Sequence, residues 1–442
     1  MKRLSLLLIY LILLLTPTIE AGEYNFEQFL DLAERHSKDL KLARQELRIA
    51  GANKKEAMAG ALPHVSASAG YTRNLSEMYM YMDMAALTGE EEAGISKFPI
   101  TRNNEYSANV VISQTLFNGA VYNAVKAARQ YQKLSDFVYD ASYQEIMTYS
   151  KKAFYQTLLL KVVLDVSQAS EHNAYENYLD VKRAFDNGLV SEFELLQAEV
   201  RYKDYVPRTT EAEKNYNIAL INLKNLAGIP VEEDMVLDGN LDEYPQLPKM
   251  ATLESILQSR PDFNALLWEE KLRETGVRAE KSAYLPTLTG SLTYAYSAQS
   301  DEWSLDEEND GFIAGLNLSI PIFTGGSTRA KVQKARIELD KTRINIDRTR
   351  ENIEKQIESI RLRLEEANKR IVAAEATLKT AEKAFAIAEA TSKSGLATQL
   401  ELKDSRVVLD QATNGYYAAV YEYLDAYFDW EKATGAVQTD HR

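Results

Sequence analysis

The 442-residue chain contains no cysteine. That excludes disulfides, thiolate-bound metal and an acylated cysteine as an anchor for an exported N-terminus. Its four histidines, His36, His64, His172 and His441, are scattered without ligand spacing. No nucleophile motif accompanies them, so the sequence predicts neither an enzyme nor a bound cofactor or metal. Basic charge is also scarce: 51 Lys and Arg face 65 Asp and Glu, a net charge of −14, which argues against a nucleic-acid partner. Past the first residues there is no apolar run of about 18 or more to cross a bilayer as a helix. Glycine and proline are missing altogether from Ala120 to Asn187 and from Ser327 to Ser394, 68 residues each.

The chain opens with Lys2 and Arg3, an apolar run from Leu4 to Leu15, and a small residue at Ala21. This pattern predicts an export signal over 1–21, cleaved near Ala21. Its removal takes Lys2, Arg3 and Glu20 with it and leaves a net charge of −15.

The remainder is written twice. Ala61-Leu62-Pro63 returns as Tyr284-Leu285-Pro286, Leu116-Phe117-Asn118-Gly119 as Ile322-Phe323-Thr324-Gly325, and Asn187-Gly188-Leu189 as Ser394-Gly395-Leu396. The offsets are 223, 206 and 207 residues, so one insertion of about 17 in the first copy accounts for the change. Units this long are pseudo-symmetric building blocks rather than short solenoid repeats. They divide the chain into a first repeat over 22–229, a linker over 230–251, a second repeat over 252–435 and a tail over 436–442.

Both punctuation-free runs are rich in Ala, Leu, Glu, Lys and Arg, strong helix formers, and each predicts a helix of roughly 100 Å. In the second, Ile371, Ala374, Leu378, Ala381, Phe385 and Ala388 recur at heptad spacing, which predicts coiled-coil packing. Each run stops at a glycine and restarts in a capping box, Ser191 to Glu194 and Thr398 to Glu401. The result is two long helical hairpins with tips at 186–191 and 393–398. Pro207 and Asn414-Gly415 occupy matching places in the return helices, and a kink is expected there.

Two strand-like segments precede each hairpin, near 64–77, 105–117, 286–298 and 311–323. Val65, Ala67, Ala69 and Tyr71 share one face of the first; Tyr106, Ala108, Val110 and Ile112 alternate with Ser107, Asn109, Val111 and Ser113 in the second. Leu292, Tyr294 and Tyr296, then Leu316, Leu318, Ile320 and Ile322, repeat this in the second copy. Length and alternation fit tilted membrane strands of about 9–11 residues. Four strands leave open edges, which hydrocarbon does not tolerate, so other copies must complete the sheet. Eight strands leave no useful lumen, whereas twelve or sixteen do, and the residues alone leave three or four copies open.

The duplicated Leu-Pro strand entry, the two strand-to-helix corners and the twin Gly-Leu tips resemble those of the TolC-like outer membrane efflux proteins, from about Tyr24 to Gly435. The resemblance implies an α+β fold assembled as a homotrimer in the outer membrane: a transmembrane barrel of twelve strands in contact with lipid, continued by an α-helical barrel across the periplasm. It implies an exit duct for efflux or type I secretion, fed by a periplasmic adaptor and an inner-membrane pump of the RND, ABC or MFS type. Gly188, Leu189, Val190, Ser191 and Glu192, with Gly395, Leu396, Ala397, Thr398 and Gln399, match the family's adaptor-docking tips. The family's constriction carries acidic side chains six and nine positions after the second tip glycine, which are Glu401 and Asp404 here. Glu194 holds the first position of the first copy, but the second is Gln197. Capping accounts for Glu194 and Glu401 without any gate; Asp404 has no cap role. A second reading, an exported coiled-coil scaffold or adhesin without a channel, uses the helices and leaves the paired strands unexplained.

Met78, Met80, Met82 and Met84 alternate with Tyr79, Tyr81 and Asp83 in the insertion. Thioethers in such a row suit a soft ion, but an apolar strand extension is the expectation. The acidic stretch from Asp301 to Asp310 reads as a solvated loop.

Overall fold

A computed structural model describes residues 22–83, 95–249, 251–394, 396 and 398–437. The expected export signal, Met84, Gly395, Ala397 and most of the tail lie outside them. The described chain divides into two compact units.

One unit comprises 48–134 and 266–345. Its centre is a four-stranded antiparallel sheet of β2 (His64–Arg73), β5 (Asn104–Phe117), β7 (Thr287–Ser300) and β8 (Asn309–Ser319), in that order. All four expected strands are present, with corrected ends. The fourth stops at Ser319 rather than 323, because Pro321 has no N–H for the ladder. The first stops at Arg73 rather than 77: Asn74 turns the chain, its side chain donating to the Arg102 carbonyl at 2.7 Å. The methionine row is not an extension of that strand. Met80 and Met82 lie in a separate hairpin, β3 (Tyr79–Asp83) paired with β4 (Ile95–Pro99). Tight corners join strands to helices. At Gly119, where helix α3 (Gly119–Asp186) begins, an added Cβ would stand 2.7 Å from Ser282 Cβ, so only glycine fits.

The other unit holds the described residues up to Leu47, 135–265 and from Ile346 onward. Besides most of α3 it contains α1 (Phe26–His36), the start of α2 (Lys38–Ala59), α4 (Glu192–Ala227), α5 (Leu253–Ser259), the start of α6 (Pro261–Lys281), most of α7 (Ser327–Lys393) and α8 (Gln399–Thr434). A short parallel pair, β1 (Gly22–Tyr24) with β6 (Met235–Leu237), brings the 230–251 linker beside the start of the chain. One core joins these pieces through Phe29, Phe154, Leu223, Leu364, Ile371 and Tyr423.

The heptad reading of α7 holds over a longer stretch than the sequence pattern alone suggests. Ile353, Ile360, Leu364, Ala367, Ile371 and Ala381 are all buried, and Ala374, Leu378, Phe385 and Ala388 are half-buried. With the half-buried Ile357 between Ile353 and Ile360, their spacing alternates between four and three, the stripe a coiled-coil partner covers. Neither expected breaker ends its helix: α4 runs through Pro207 and α8 through Asn414-Gly415. Two residues beyond Pro207, Thr209 Oγ1 donates to both the Tyr205 and Ser167 carbonyls at 3.3 Å, tying α4 to α3.

Candidate functional site

The sheet carries the first candidate surface. Its register places Tyr71 opposite Tyr106, Val110 opposite Tyr294, Ile112 opposite Leu292, and Tyr294 opposite Phe312. One face is therefore apolar across all four strands. On the other, Ser68 pairs with Asn109, Ser113 with Ser291 and Thr289 with Asn317, giving a face of mostly small polar side chains interrupted by Val111 and Ile313 on either side of Thr293. Alternation within each strand was legible in the sequence; the alignment of the faces between strands is set by register, since one residue of slip would invert a strand. The apolar face is exposed in the single chain, Phe312 and Leu316 each at 75%. Strands β2 and β8 are the outer members of the sheet, each hydrogen-bonded on one side only. Open edges of this kind are excluded from a finished structure in lipid. No described helix is long and apolar enough to cross a membrane.

Beyond the loop ends of the strands a polar clamp holds the 301–308 connection. Asn104, fully buried, donates to the Ser300 and Glu302 carbonyls at 3.2 and 2.7 Å and accepts from Tyr71 and Arg73. Arg102 pairs with Asp301 and Glu307. Trp303 stacks on Tyr71 with ring centroids 5.5 Å apart. The acidic stretch is thus tied down over these residues, not merely solvated, a feature invisible in composition because its partners lie some 200 positions away. Among the described residues no cluster of His, Asp or Glu is arranged to hold a metal.

The helical tips form the second candidate surface. Gly188, at φ 71°, reverses the chain: its N–H bonds to the Phe185 carbonyl and that of Leu189 to the Ala184 carbonyl. This double closure requires a left-handed residue, hence glycine. Ser191 and Glu194 then cap α4 reciprocally, each accepting from the other's N–H at 3.3 Å. The second tip repeats the design. Leu396 N–H returns to the Thr391 carbonyl, and Thr398 and Glu401 form the same box at 2.7 and 3.2 Å. Leu189 and Leu396 stand 77% and 84% exposed at corresponding points, with Phe193 and Leu400 beside them. Val190 is half-buried and Glu192 exposed; nothing is described of the Gln399 side chain.

Of the three acidic residues singled out, Glu194 and Glu401 are held by the caps. The Thr398 backbone N–H, then its hydroxyl, hold the Glu401 carboxyl below the ordinary glutamate value. Asp404 is exposed and, among the described residues, makes no hydrogen bond or ion pair. It lies three positions after Glu401, on the same helical face. Arg183 and Arg406 do not bridge the tips: Arg183 pairs with Asp180, and Arg406 with Asp410 at 2.9 Å. Asp410 also accepts from Ser170, a contact between α8 and α3 that sequence reasoning missed for want of any local signal.

A folded-state value lowered for Glu401 means its stabilisation is fully present above the unfolded pKa and lost as pH falls through the folded one. Amide exchange at 399–402 is therefore expected to stay slow at pH 4.5, where an ordinary glutamate is half protonated, and to accelerate only in stronger acid. Ser191→Ala should weaken the first turn of α4 by about 1 kcal/mol, read as faster exchange at 192–195.

A four-stranded sheet with one apolar face, joined in sequence to two long helical hairpins, is the build of an outer-membrane channel component. The chain belongs to the outer membrane efflux protein family, whose profile matches residues 29–229 and 252–436. It is 23% identical over 245 residues to the outer membrane protein TolC of Salmonella enteritidis, covering 53% of this chain and 49% of that protein. It is 22% identical over 236 residues to the alkaline protease secretion protein AprF of Pseudomonas aeruginosa, covering 52% and 49%. The chain thus spans about half the length of these curated relatives. The Campylobacter jejuni CmeC outer membrane channel shares the fold, with a TM-score of 0.77 and 19% identity over 92% of this chain and 85% of that one. The protein is accordingly an outer-membrane protein extending into the periplasm.

Proposed function

We propose that three copies of the chain build a passive exit duct, a barrel of twelve strands in the outer membrane continued by a helical barrel in the periplasm. The observation that carries this reading is the sheet: a continuous apolar face, a polar face and two edges that only further copies can cover. The apolar face meets lipid, and the polar face lines the lumen. The chain is a conduit, not an enzyme, and the energy for export comes from its partners. Those are an inner-membrane pump of the RND, ABC or MFS type and a periplasmic adaptor, in tripartite efflux or type I secretion.

The tips serve as the docking and gating end. Gly188–Glu192 and the matching 395–399 present exposed leucines to the adaptor, while Asp404 with Glu401 and Glu194 forms the acidic constriction. Three copies of each carboxylate around one axis favour cations and oppose anions. Opening is a shift of packed helices between two arrangements, driven by adaptor engagement.

Single-channel recording tests both parts. The wild-type protein in a planar bilayer should conduct with a preference for cations, and Glu401→Ala/Asp404→Ala should reduce that preference and raise conductance. Cysteine introduced at Glu192 or Gln399, in a chain with no other thiol, should crosslink to the adaptor. Crosslinks only from residues of the 76–104 segment would invert the orientation.

A further inference from the structure

We propose that Glu105 forms a second cation-selecting ring, at the outer end of the barrel and distinct from the tip carboxylates. The inference rests on the duct reading and adds a specificity-determining residue to it. On the polar face of the paired strands, the register leaves only two ionisable side chains, His64 at the helix end and Glu105 at the loop end. Glu105 sits between Thr72 and Gln299, so its strand neighbours on that face carry no charge.

Among the described residues the nearby cations are engaged elsewhere. Arg102 pairs with Asp301 and Glu307. Arg73 projects from the apolar face, donating to Asn104 at 2.6 Å and lying 5.8 Å from the Trp303 ring. Lys97 rests 3.3 Å over the Tyr79 ring. The group that does reach Glu105 is neutral: Asn74 Nδ2 donates to its carboxylate at 2.7 Å while also holding the Arg102 carbonyl. Asn74 therefore orients the carboxylate and leaves its negative charge uncompensated. In a trimer three such charges stand at one level of the lumen. Across a wide lumen their field is screened at ordinary ionic strength, since the Debye length is about 10 Å at 0.1 M, but it fills the pore at 0.01 M, where that length is about 30 Å.

The test is the cation-to-anion permeability ratio in planar bilayers at about 10 mM KCl, measured in the Glu401→Ala/Asp404→Ala background so that the tip does not dominate. A residual cation preference should remain there. Glu105→Gln, which keeps a side chain able to bond Asn74, should lower it roughly twofold, an effect that vanishes near 1 M salt. Glu105→Lys should turn the preference toward anions. In the cysteine-free chain, Glu105→Cys should react with a water-soluble sulfonate thiol reagent and regain the preference, whereas Ala108→Cys, on the lipid face, should not react. An unchanged ratio in Glu105→Gln, or an unreactive Glu105→Cys in assembled channels, overturns the ring while leaving the duct intact. A parent protein that does not conduct at all overturns the duct and the ring together.

Discussion

Leu292→Arg is expected to abolish assembly in the outer membrane, while Ser291→Arg, one residue away, leaves assembled protein. Leu292 lies between Ile112 and Ala314 in the middle of the apolar face. An arginine at the midplane of a membrane strand costs about 2–4 kcal/mol. In a trimer the penalty is incurred three times, roughly 6–12 kcal/mol, comparable with the whole stability of a domain at about 5–15 kcal/mol. Ser291 faces the other way, between Ser113 and Gly315, where a charge meets water in the lumen. Heat-modifiable bands in outer-membrane fractions read the contrast directly. Equal loss in both variants would mean that the sheet has no lipid face.

The second large effect concerns Arg260, which is 7% exposed and makes four side-chain hydrogen bonds to three residues. Its guanidinium donates to Asp262 at 3.0 and 2.6 Å, to Gln356 at 3.0 Å and to the Ala433 carbonyl at 3.1 Å. One side chain thereby fastens the start of the second repeat to α7 and to the end of α8. Arg260→Ala strands those acceptors and, because Asp262 is itself half exposed, should cost about 1–3 kcal/mol. Arg260→Lys should recover little, because a lysine ammonium lacks the planar fork that reaches three directions at once. Thermal unfolding of the purified protein compares the two, and a melting point in Arg260→Ala equal to the parent's would refute the role.

The elements with strong periodicity were legible in the sequence. Heptad spacing from Ile371 to Ala388 identified the buried stripe of α7, and Ser191 with Thr398 marked the starts of α4 and α8, where the boxes form. Alternation located four strands, and Pro321 explains why the last ends early. Contacts made by short or distant segments carried no signal. The three-residue pair of β1 with β6 is too brief for any period, and Arg260 looks like an ordinary surface cation until the fold brings Gln356 and Ala433 to it. The clamp on the acidic loop hides for the same reason, its anchor Asn104 being an unremarkable polar residue at a strand start. At the tips, the capping logic predicted from Glu194 and Glu401 is what the geometry contains, and of the three acidic residues singled out there Asp404 is the one that makes no hydrogen bond or ion pair among the described residues.

The account stands on the sheet being one third of a closed wall. The mass of the protein–detergent particle, with detergent subtracted, measures this most directly. Three chains per particle, dispersed only in detergent or lipid, is the predicted result. A monodisperse single chain that stays in solution without either would contradict it.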